Sequence, residues 1–411
     1  MKASVIVVVH AGARHLEDSV ASLAGHAGSR DVEVIVVDNG SRDRCGEHAT
    51  RHFPWVRVVR SEQNLGFAGG VHLGAEAAGG EALVLLNDDA AAAAGFVDAH
   101  LETLAAHPRA AVSAGRLTSW DGAVHDFVRG AVTFDCHAFQ VGQGFTPAEL
   151  EPPAPGEPLP FACGGNMAIR ADDWRRSGGF DRRHFAYFED VDLGWRLAAV
   201  GREVVACPEA VARHRGAATS SRLGDFRRGV LYERNALRTF FACADRECRA
   251  AFGSAVLATF LHRLTAFSKQ HPELERAVAD PFENGDDALP LGRRWRRRLR
   301  ERGVGDSLRH LAARFVLGPR AGSPVLEDGF LLMQLRAAQG FFAGLEDAER
   351  RRAELDAVRT VPDRTIFERF PRLVVPTYAG DEAWFGSDAF AALLPAGWPI
   401  ERRALDEIMK R

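Results

Sequence analysis

Lysine is almost missing from this chain. It stands only at Lys2, Lys269 and Lys410, and arginine supplies the rest of the 52 basic residues, a bias that with the run Ala90–Ala94 reads as GC-rich coding. Cysteine is sparse as well. Cys45, Cys136, Cys163, Cys207, Cys243 and Cys248 are scattered without a CxxC pair, which argues against a structural zinc or a disulfide framework and for a reducing cytosol. No stretch reaches the roughly 18 apolar residues a membrane-spanning helix needs. The apolar start Val5–Val9 is too short for a signal-peptide core and lacks a small-residue cleavage site, so a cytoplasmic chain is expected. A charge excess is lacking too: 52 basic against 55 acidic residues give −3, and nothing draws the whole protein to nucleic acid.

What is present suffices for two or more domains: 411 residues, 46% of them hydrophobic and 26% charged, a globular balance. The first 90 residues alternate short β-branched runs with segments of helical length. Val5–Val9, Val34–Val37, Val56–Val59 and Ala82–Leu86 are continuously apolar, as in parallel strands covered on both faces. Leu16–Leu23 and Ala68–Ala78 have helical spacing, which predicts right-handed βαβ units and a doubly wound, mainly parallel α/β sheet of Rossmann-like type. Residues 110–145 read as antiparallel strands with turns at Asp121-Gly122 and Arg129-Gly130, and Phe145–Pro160, with six prolines, as a loop over the site or a crossover. Phe161–Ile169 is expected to be a strand with a double-glycine approach at Gly164-Gly165, Asp190–Val200 a helix, and Glu203–Ala206 a last strand. A boundary near 217–226 divides this part, residues 1–222, from a mostly helical part, residues 223–411, interrupted at Asp280–Gly292 and Gly318–Gly329.

Ligands of such sheets bind beyond the carboxyl ends of the strands. Those ends carry His10-Ala11-Gly12, Asp38-Asn39-Gly40-Ser41 and Asn87-Asp88-Asp89. The last is either a plain turn or a set of hard oxygen ligands for Mg²⁺ or Mn²⁺ holding a diphosphate. Glu189, Asp190 and Asp192 at a helix start either stabilise its dipole or supply a general base, because clustered carboxylates raise one another's pKa. His214 follows a strand, as a surface residue or a metal ligand. Arg293-Arg294-Trp295-Arg296-Arg297-Arg298-Leu299-Arg300 is a solvated helix face or a contact for anionic lipid.

The ordered set Ser4–Val9, Val37–Ser41, Asn64-Leu65-Gly66-Phe67-Ala68-Gly69-Gly70, Leu86–Asp89, Gly164-Gly165-Asn166, Gly178–Asp181, Glu189–Arg196 and His214 resembles glycosyltransferase family 2, most closely its bacterial rhamnosyltransferase and galactofuranosyltransferase branches. The resemblance spans residues 1 to about 222. It implies a GT-A fold and metal-dependent, inverting transfer from a nucleotide-diphosphate sugar, dTDP- or UDP-linked and rhamnose-like, to a bacterial surface glycan or lipid-linked acceptor. By that resemblance Val9, His10, Asp38 and Asn39 hold the base, and the turn from Asn64 through Gly66 to Gly70 lets the backbone approach the nucleotide. Asn87, Asp88, Gly165 and Asn166 complete the donor site, Asp89 and His214 bind Mn²⁺ or Mg²⁺, and Asp190 with Glu189 forms the catalytic pair. The chain departs from the family in having Asn87 where the Asp-x-Asp motif begins and Val9-His10-Ala11 where Thr-Tyr-Asn is common. A sugar nucleotidyltransferase is the rival enzyme, disfavoured because no lysine lies between Lys2 and Lys269. A catalytically silent scaffold on this fold is the rival of another class. The helical part is expected to contact acceptor, membrane or a second subunit.

Overall fold

The computed structural model describes residues 1–26, 31–216, 224–266, 325–378 and 380–410. Four strands, β1 (Ala3–Val9), β2 (Val32–Asn39), β3 (Arg57–Ser61) and β4 (Ala82–Asn87), lie parallel in the spatial order 3-2-1-4. Helices α1 (Ala13–Ser22), α2 (Cys45–His52) and α3 (Gly66–Ala77) connect them. Because side chains alternate along a strand, the apolar runs feed two cores. Val5, Val7 and Val9 share one with Leu16 and Val20 of α1 and Cys45 and Ala49 of α2, while Ile6, Ile35 and Val37 meet Ala68 and Val71 of α3 on the other face.

Beyond β4 the sheet becomes mixed. β11 (Asn166–Arg170) runs antiparallel between β4 and β6 (Ala110–Ser119), β12 (Glu203–His214) lies parallel to β6, and β10 (Pro158–Leu159) closes that edge. Two short strands pair with the far ends of the long ones: β5 (Ala90–Ala92) with β12, and β7 (His125–Phe127) with β6. Ala90 is thereby in register with His214, and His214 with Ser119. The ladders, not sequence proximity, bring the residues after β4 to the end of β12. Helices α4 (Phe96–Ala106), α5 (Ala171–Ser177) and α6 (Glu189–Ala199) fill the remaining connections.

Two local expectations are revised, and one that had two alternatives is decided. Arg129-Gly130 is not a turn but the start of β8 (Arg129–Val132), which pairs with β9 (Ala138–Val141) in a separate hairpin turning at residues 133–137. The strand expected at Glu203–Ala206 continues to His214 across an irregularity between Ala206 and Val211, where Pro208 cannot donate to the ladder. The proline-rich segment is a crossover: its Leu150 carbonyl accepts from His125 Nε2 at 2.9 Å near β7, and it ends as β10 on the sheet edge.

The rest of the described chain is helical: α7 (Gly224–Cys243), α8 (Arg246–Ala266), α9 (Val325–Ala343), α10 (Leu345–Val358), α11 (Asp363–Arg369), α12 (Asp381–Phe385) and α13 (Asp388–Ala391). It also contains a parallel strand pair, β13 (Arg372–Val374) with β14 (Ile400–Arg402), which helical spacing does not foretell. Phe240, Phe252, Phe341, Phe367, Phe390 and Trp398 belong to the same buried cluster as Val5 and Val7 of the sheet. Trp195 of α6 donates its indole N–H to Asp363 at 2.8 Å. The arginine run 293–300 and the interruption 280–292 lie outside the described residues, as do residues 217–223 of the proposed boundary; of the interruption 318–329, residues 325–329 are part of α9. Among the described residues no helix is long and apolar enough to cross a membrane, and all six cysteines are free thiols.

Candidate active site

The ends of β1 and β2 are tied to the turn before α3 by amides. Asn39, 2% exposed, donates from Nδ2 to Asn64 Oδ1 (3.1 Å) and to the Gly66 carbonyl (2.9 Å), and its Oδ1 accepts from Leu65 N (2.9 Å). His10 donates from Nδ1 to the Asn39 carbonyl at 2.8 Å. Asp38 is buried and filled by protein donors: Oδ1 accepts from Ser41 N (2.9 Å), and Oδ2 from Gly46 N (3.2 Å) and Arg60 (2.7 Å). Its carboxylate therefore braces the loop after β2. Val9 points into the core, leaving only its backbone at the strand end.

The glycines of the 64–70 turn lie where other parts of the protein press close. Gly66 has φ +72°, and a Cβ there would lie 2.4 Å from the Phe185 carbonyl; a Cβ on Gly70 would lie 2.4 Å from Val8 Cγ1. The room they free is taken by protein, Phe185 in one case and β1 in the other, so both glycines permit close packing. Asn166 is likewise a brace. Fully buried, it donates from Nδ2 to the carbonyls of Arg116 and Ala210 (both 2.9 Å), where the β6–β12 ladder is irregular, and its Oδ1 accepts from His100 Nε2 (3.0 Å). An unpaired buried carbonyl is costly, and this amide satisfies two.

At the end of β4 the chemistry concentrates. Asp89 Oδ1 lies 3.0 Å from His214 Nε2, although the two are 125 residues apart. His214 Nδ1 donates to Asp126 Oδ2 at 2.5 Å. Asn87 Nδ2 is 3.5 Å from His214 Nε2, and Asp88 is buried beside it. Burial alone would lower the imidazole pKa, but hydrogen bonds to Asp126 and Asp89 outweigh it and push it up to about 10. Burial would raise Asp89, and the His214 contact instead holds it below its ordinary value. The sequence offers no sign of Asp126: it is a lone acid in a three-residue strand, delivered by the irregular register of β7 on β6. Arg215, next in chain, stacks its guanidinium 3.6 Å over the Trp120 ring and pairs with Asp18.

Whether this cluster suits a divalent ion turns on its donors. A carboxylate and an imidazole converge, and the imidazole is oriented from behind by a second carboxylate, the usual arrangement around a metal-bound histidine. Among the described residues no third His, Cys, Asp or Glu completes a metal group. Such a two-residue set fits Mg²⁺ or Mn²⁺ that keeps waters and takes further oxygens from a phosphate.

The second acidic group lies one loop away. Gly165 packs on Asn87, whose N–H donates to the Gly165 carbonyl at 3.2 Å, and Gly164 N donates to Asp190 Oδ2 at 3.2 Å. Val191 N donates to Asp190 Oδ1 at 2.9 Å. Burial pushes Asp190 up to about 6, against those backbone bonds, which favour its charged form. Glu189 is 5% exposed, its Oε2 has no hydrogen-bond partner, and burial together with the charge of Asp190 drives its pKa well above the carboxylate range. Asp192 separates from the pair: it is completely buried, grips Arg196 at 2.6 Å and is held low despite burial by Arg196 and other nearby cations. The three acids thus divide into an anion paired with Arg196 and two carboxyls of raised proton affinity, Glu189 and Asp190.

Glycosyl transferase family 2 matches residues 4–176. N-acetylglucosaminyl-diphospho-decaprenol L-rhamnosyltransferase of Mycobacterium tuberculosis is 32% identical over 241 residues, which cover 53% of this chain and 77% of that protein. N-acetylgalactosaminyltransferase 6 of Drosophila melanogaster is 29% identical over 187 residues, 43% of this chain and 28% of that one. Among solved structures, GalNAc-T7 with UDP, GalNAc and Mn²⁺ aligns with a TM-score of 0.49 at 16% identity, over 66% of this chain and about half (52%) of that one. The mixed, mostly parallel α/β sheet followed by helices is the GT-A-like arrangement that the motif order implied. With over three quarters of the mycobacterial enzyme aligned at that identity, the chain belongs to glycosyl transferase family 2.

Proposed function

We propose that this family 2 glycosyltransferase works by inversion, moving a rhamnose-like sugar from a dTDP- or UDP-linked donor to a hydroxyl of a bacterial surface glycan or lipid-linked acceptor. The observation that carries the reading is Asp190: a half-buried carboxylate of raised proton affinity, one glycine pair away from the Asp89–His214–Asp126 cluster. A general base works best with a pKa near the operating pH. Asp190 takes the proton of the acceptor hydroxyl as its oxygen bonds to the anomeric carbon, and the bond to the diphosphate breaks on the opposite face. Burial and the charge of Asp190 both push the Glu189 carboxyl upward, so of the two acids Asp190 is the one whose charged form its backbone hydrogen bonds favour. Asp89 and His214 would hold Mn²⁺ or Mg²⁺. When bound, the ion supplies positive charge to the departing diphosphate.

The mycobacterial relative names a rhamnosyl transfer to a diphospho-lipid acceptor, and that supports the same substrate class here. We assign residues 1–222 to donor binding and catalysis and residues 223–411 to contacts with acceptor, membrane surface or a second subunit, in the cytoplasm. The test is thermal shift against a panel of dTDP- and UDP-sugars with and without Mn²⁺, followed by transfer from the stabilising donor to a synthetic N-acetylglucosaminyl-diphospho lipid. Asp190→Asn should lose transfer by at least about a hundredfold while donor affinity stays within a few-fold, because a base matters mainly in the transition state. A variant that keeps most of its turnover number removes Asp190 from the role.

A further inference from the structure

The loop that delivers Glu189 and Asp190 is in a conformation it would not choose. Among the described residues five non-glycine residues have positive φ, and three of them are Phe185 (66°), Tyr187 (71°) and Phe188 (67°). Phe185, with ψ −62° and the Ala186 N–H donating to the His184 carbonyl at 2.8 Å, is a γ-turn of the rare, strained kind. Such strain persists only where surroundings over-determine it, and it gathers at functional sites.

One face of α7 supplies that surrounding. Asn235, completely buried, donates from its amide nitrogen to three loop carbonyls: His184 at 3.0 Å, Ala186 at 2.9 Å and Tyr187 at 2.7 Å. Arg234 orients it, donating from Nε to Asn235 Oδ1 at 3.0 Å, and also reaches the carbonyls of Arg183 and His184, both at 2.9 Å. Arg238 holds Asp181 at 2.6 Å, and Thr239 lies 3.0 Å from His184 Nε2. Tyr232, a turn earlier, packs its ring 4.7 Å from Tyr187 and 5.5 Å from Phe188. On the other side, the Phe185 carbonyl accepts from Ala68 N at 3.1 Å.

We infer that Asn235 is a positioning residue for the transfer, fixing through the Phe185–Phe188 loop where Asp190 presents its carboxylate; the inference rests on Asp190 being the base. The two amide hydrogens serve the two nearer carbonyls, Tyr187 and Ala186, and the longer contact is to the His184 carbonyl, which the Ala186 N–H and Arg234 also reach. With the amide gone, the Ala186 and Tyr187 carbonyls lose that donor while Arg234, Tyr232 and Ala68 still hold their own parts of the loop, so the segment nearest Glu189 and Asp190 is the part released to shift.

The test compares Asn235→Ala, and Asn235→Ser as a variant keeping one donor, with the wild type. The readouts are kcat with the donor and lipid acceptor that the wild type turns over, the affinity for dTDP and UDP, the melting temperature, and the acid limb of kcat against pH. The expected result for Asn235→Ala is a kcat at least thirtyfold lower, nucleotide affinity within threefold, and an acid limb moved to lower pH as Asp190 gains water; Asn235→Ser falls between. A folded Asn235→Ala with kcat within threefold and an unmoved limb overturns the inference, as does parallel loss of kcat and nucleotide affinity. Should Asn235→Ala fail to fold, Asn235→Ser decides by the same criteria. If Asp190→Asn keeps its turnover the base assignment falls; if Asp190→Asn is dead and Asn235→Ala is normal, the inference on Asn235 alone falls.

Discussion

Replacing Arg263 by leucine should be among the most destabilising changes in the molecule. Its guanidinium, 2% exposed, sits at the meeting point of the 133–137 turn, α8 and α12. It donates to Asp135 Oδ2 at 2.9 Å, grips Asp381 through Nε at 3.1 Å and Nη2 at 2.9 Å, and lies 4.7 Å over the Tyr378 ring. Two further groups join the cluster, since His137 contacts Asp135 at 3.2 Å and Glu233 at 3.0 Å. Three buried carboxylates thus face two cations. Arg263→Leu leaves three against one, with Asp381 stripped of its bidentate partner. Removing one partner of a buried pair costs about 3–5 kcal/mol because the remaining charge is uncompensated. Against a total stability on the order of 5–15 kcal/mol, that is a large fraction. The assay is urea unfolding followed by tryptophan fluorescence, with Arg263→Leu/Asp381→Asn as companion, which should recover part of the loss by removing an orphaned carboxylate. A loss below about 1 kcal/mol for Arg263→Leu would mean that water or rearrangement reaches the cluster, and the reasoning would fail.

The same cluster sets a pH window. Burial alone would lower His137, but Asp135 and Glu233 push it up to about 9; its contribution is therefore complete below its unfolded value near 6.5 and lost as pH rises through 9, on the order of 3 kcal/mol. Glu233, held at about 2 against burial chiefly by His137, contributes above its unfolded value of about 4.5 and loses that as pH falls toward 2. The urea midpoint should fall between pH 6.5 and 9, with His214 adding a decline of the same sign, and His137→Gln should flatten it; an equal slope in that variant would refute the assignment. At the site, Asp126→Asn should raise the Mn²⁺ concentration for half-maximal transfer by about 10–100-fold, since it removes the carboxylate behind His214. An unchanged Mn²⁺ titration would show that Asp126 does not tune that imidazole.

The parallel strands and the residues at their ends are legible in the sequence because each announces itself locally. An apolar run such as Val5–Val9 can be covered on both faces only in one kind of sheet, and the residues just beyond its carboxyl end must emerge at the ligand edge. Even the meeting of Asp89 and His214 follows from two strand ends at one edge, without knowledge of the ladder that enforces it. Short strands are another matter. β7, β8, β13 and β14 have three or four residues, too few for alternation to stand out, and so Arg129-Gly130 passes for a turn and Asp126 carries no signal. Polar residues mislead wherever their partner is backbone. Asn166 and Asn39 look alike in sequence, a polar residue at a strand end, yet one plugs an irregular ladder and the other ties two strand ends to a turn.

Asn235 is the extreme case of that blindness, and it shows where the limit lies. In sequence it is a polar residue between Arg234 and Ala236 on a helix known only by its apolar spacing, and asparagine in a helix interior is ordinarily a mild liability. Its value appears only when three carbonyls arrive from a loop some fifty residues upstream, and they arrive because Phe185, Tyr187 and Phe188 have adopted left-handed backbone. Neither half explains itself: the loop is strained without the amide, and the amide is a buried donor without the loop. Each violates a local preference, and the two violations compensate at the carboxylate pair on which the proposed transfer depends. A local rule broken twice, at two places that touch, is a stronger pointer to a working site than either break alone.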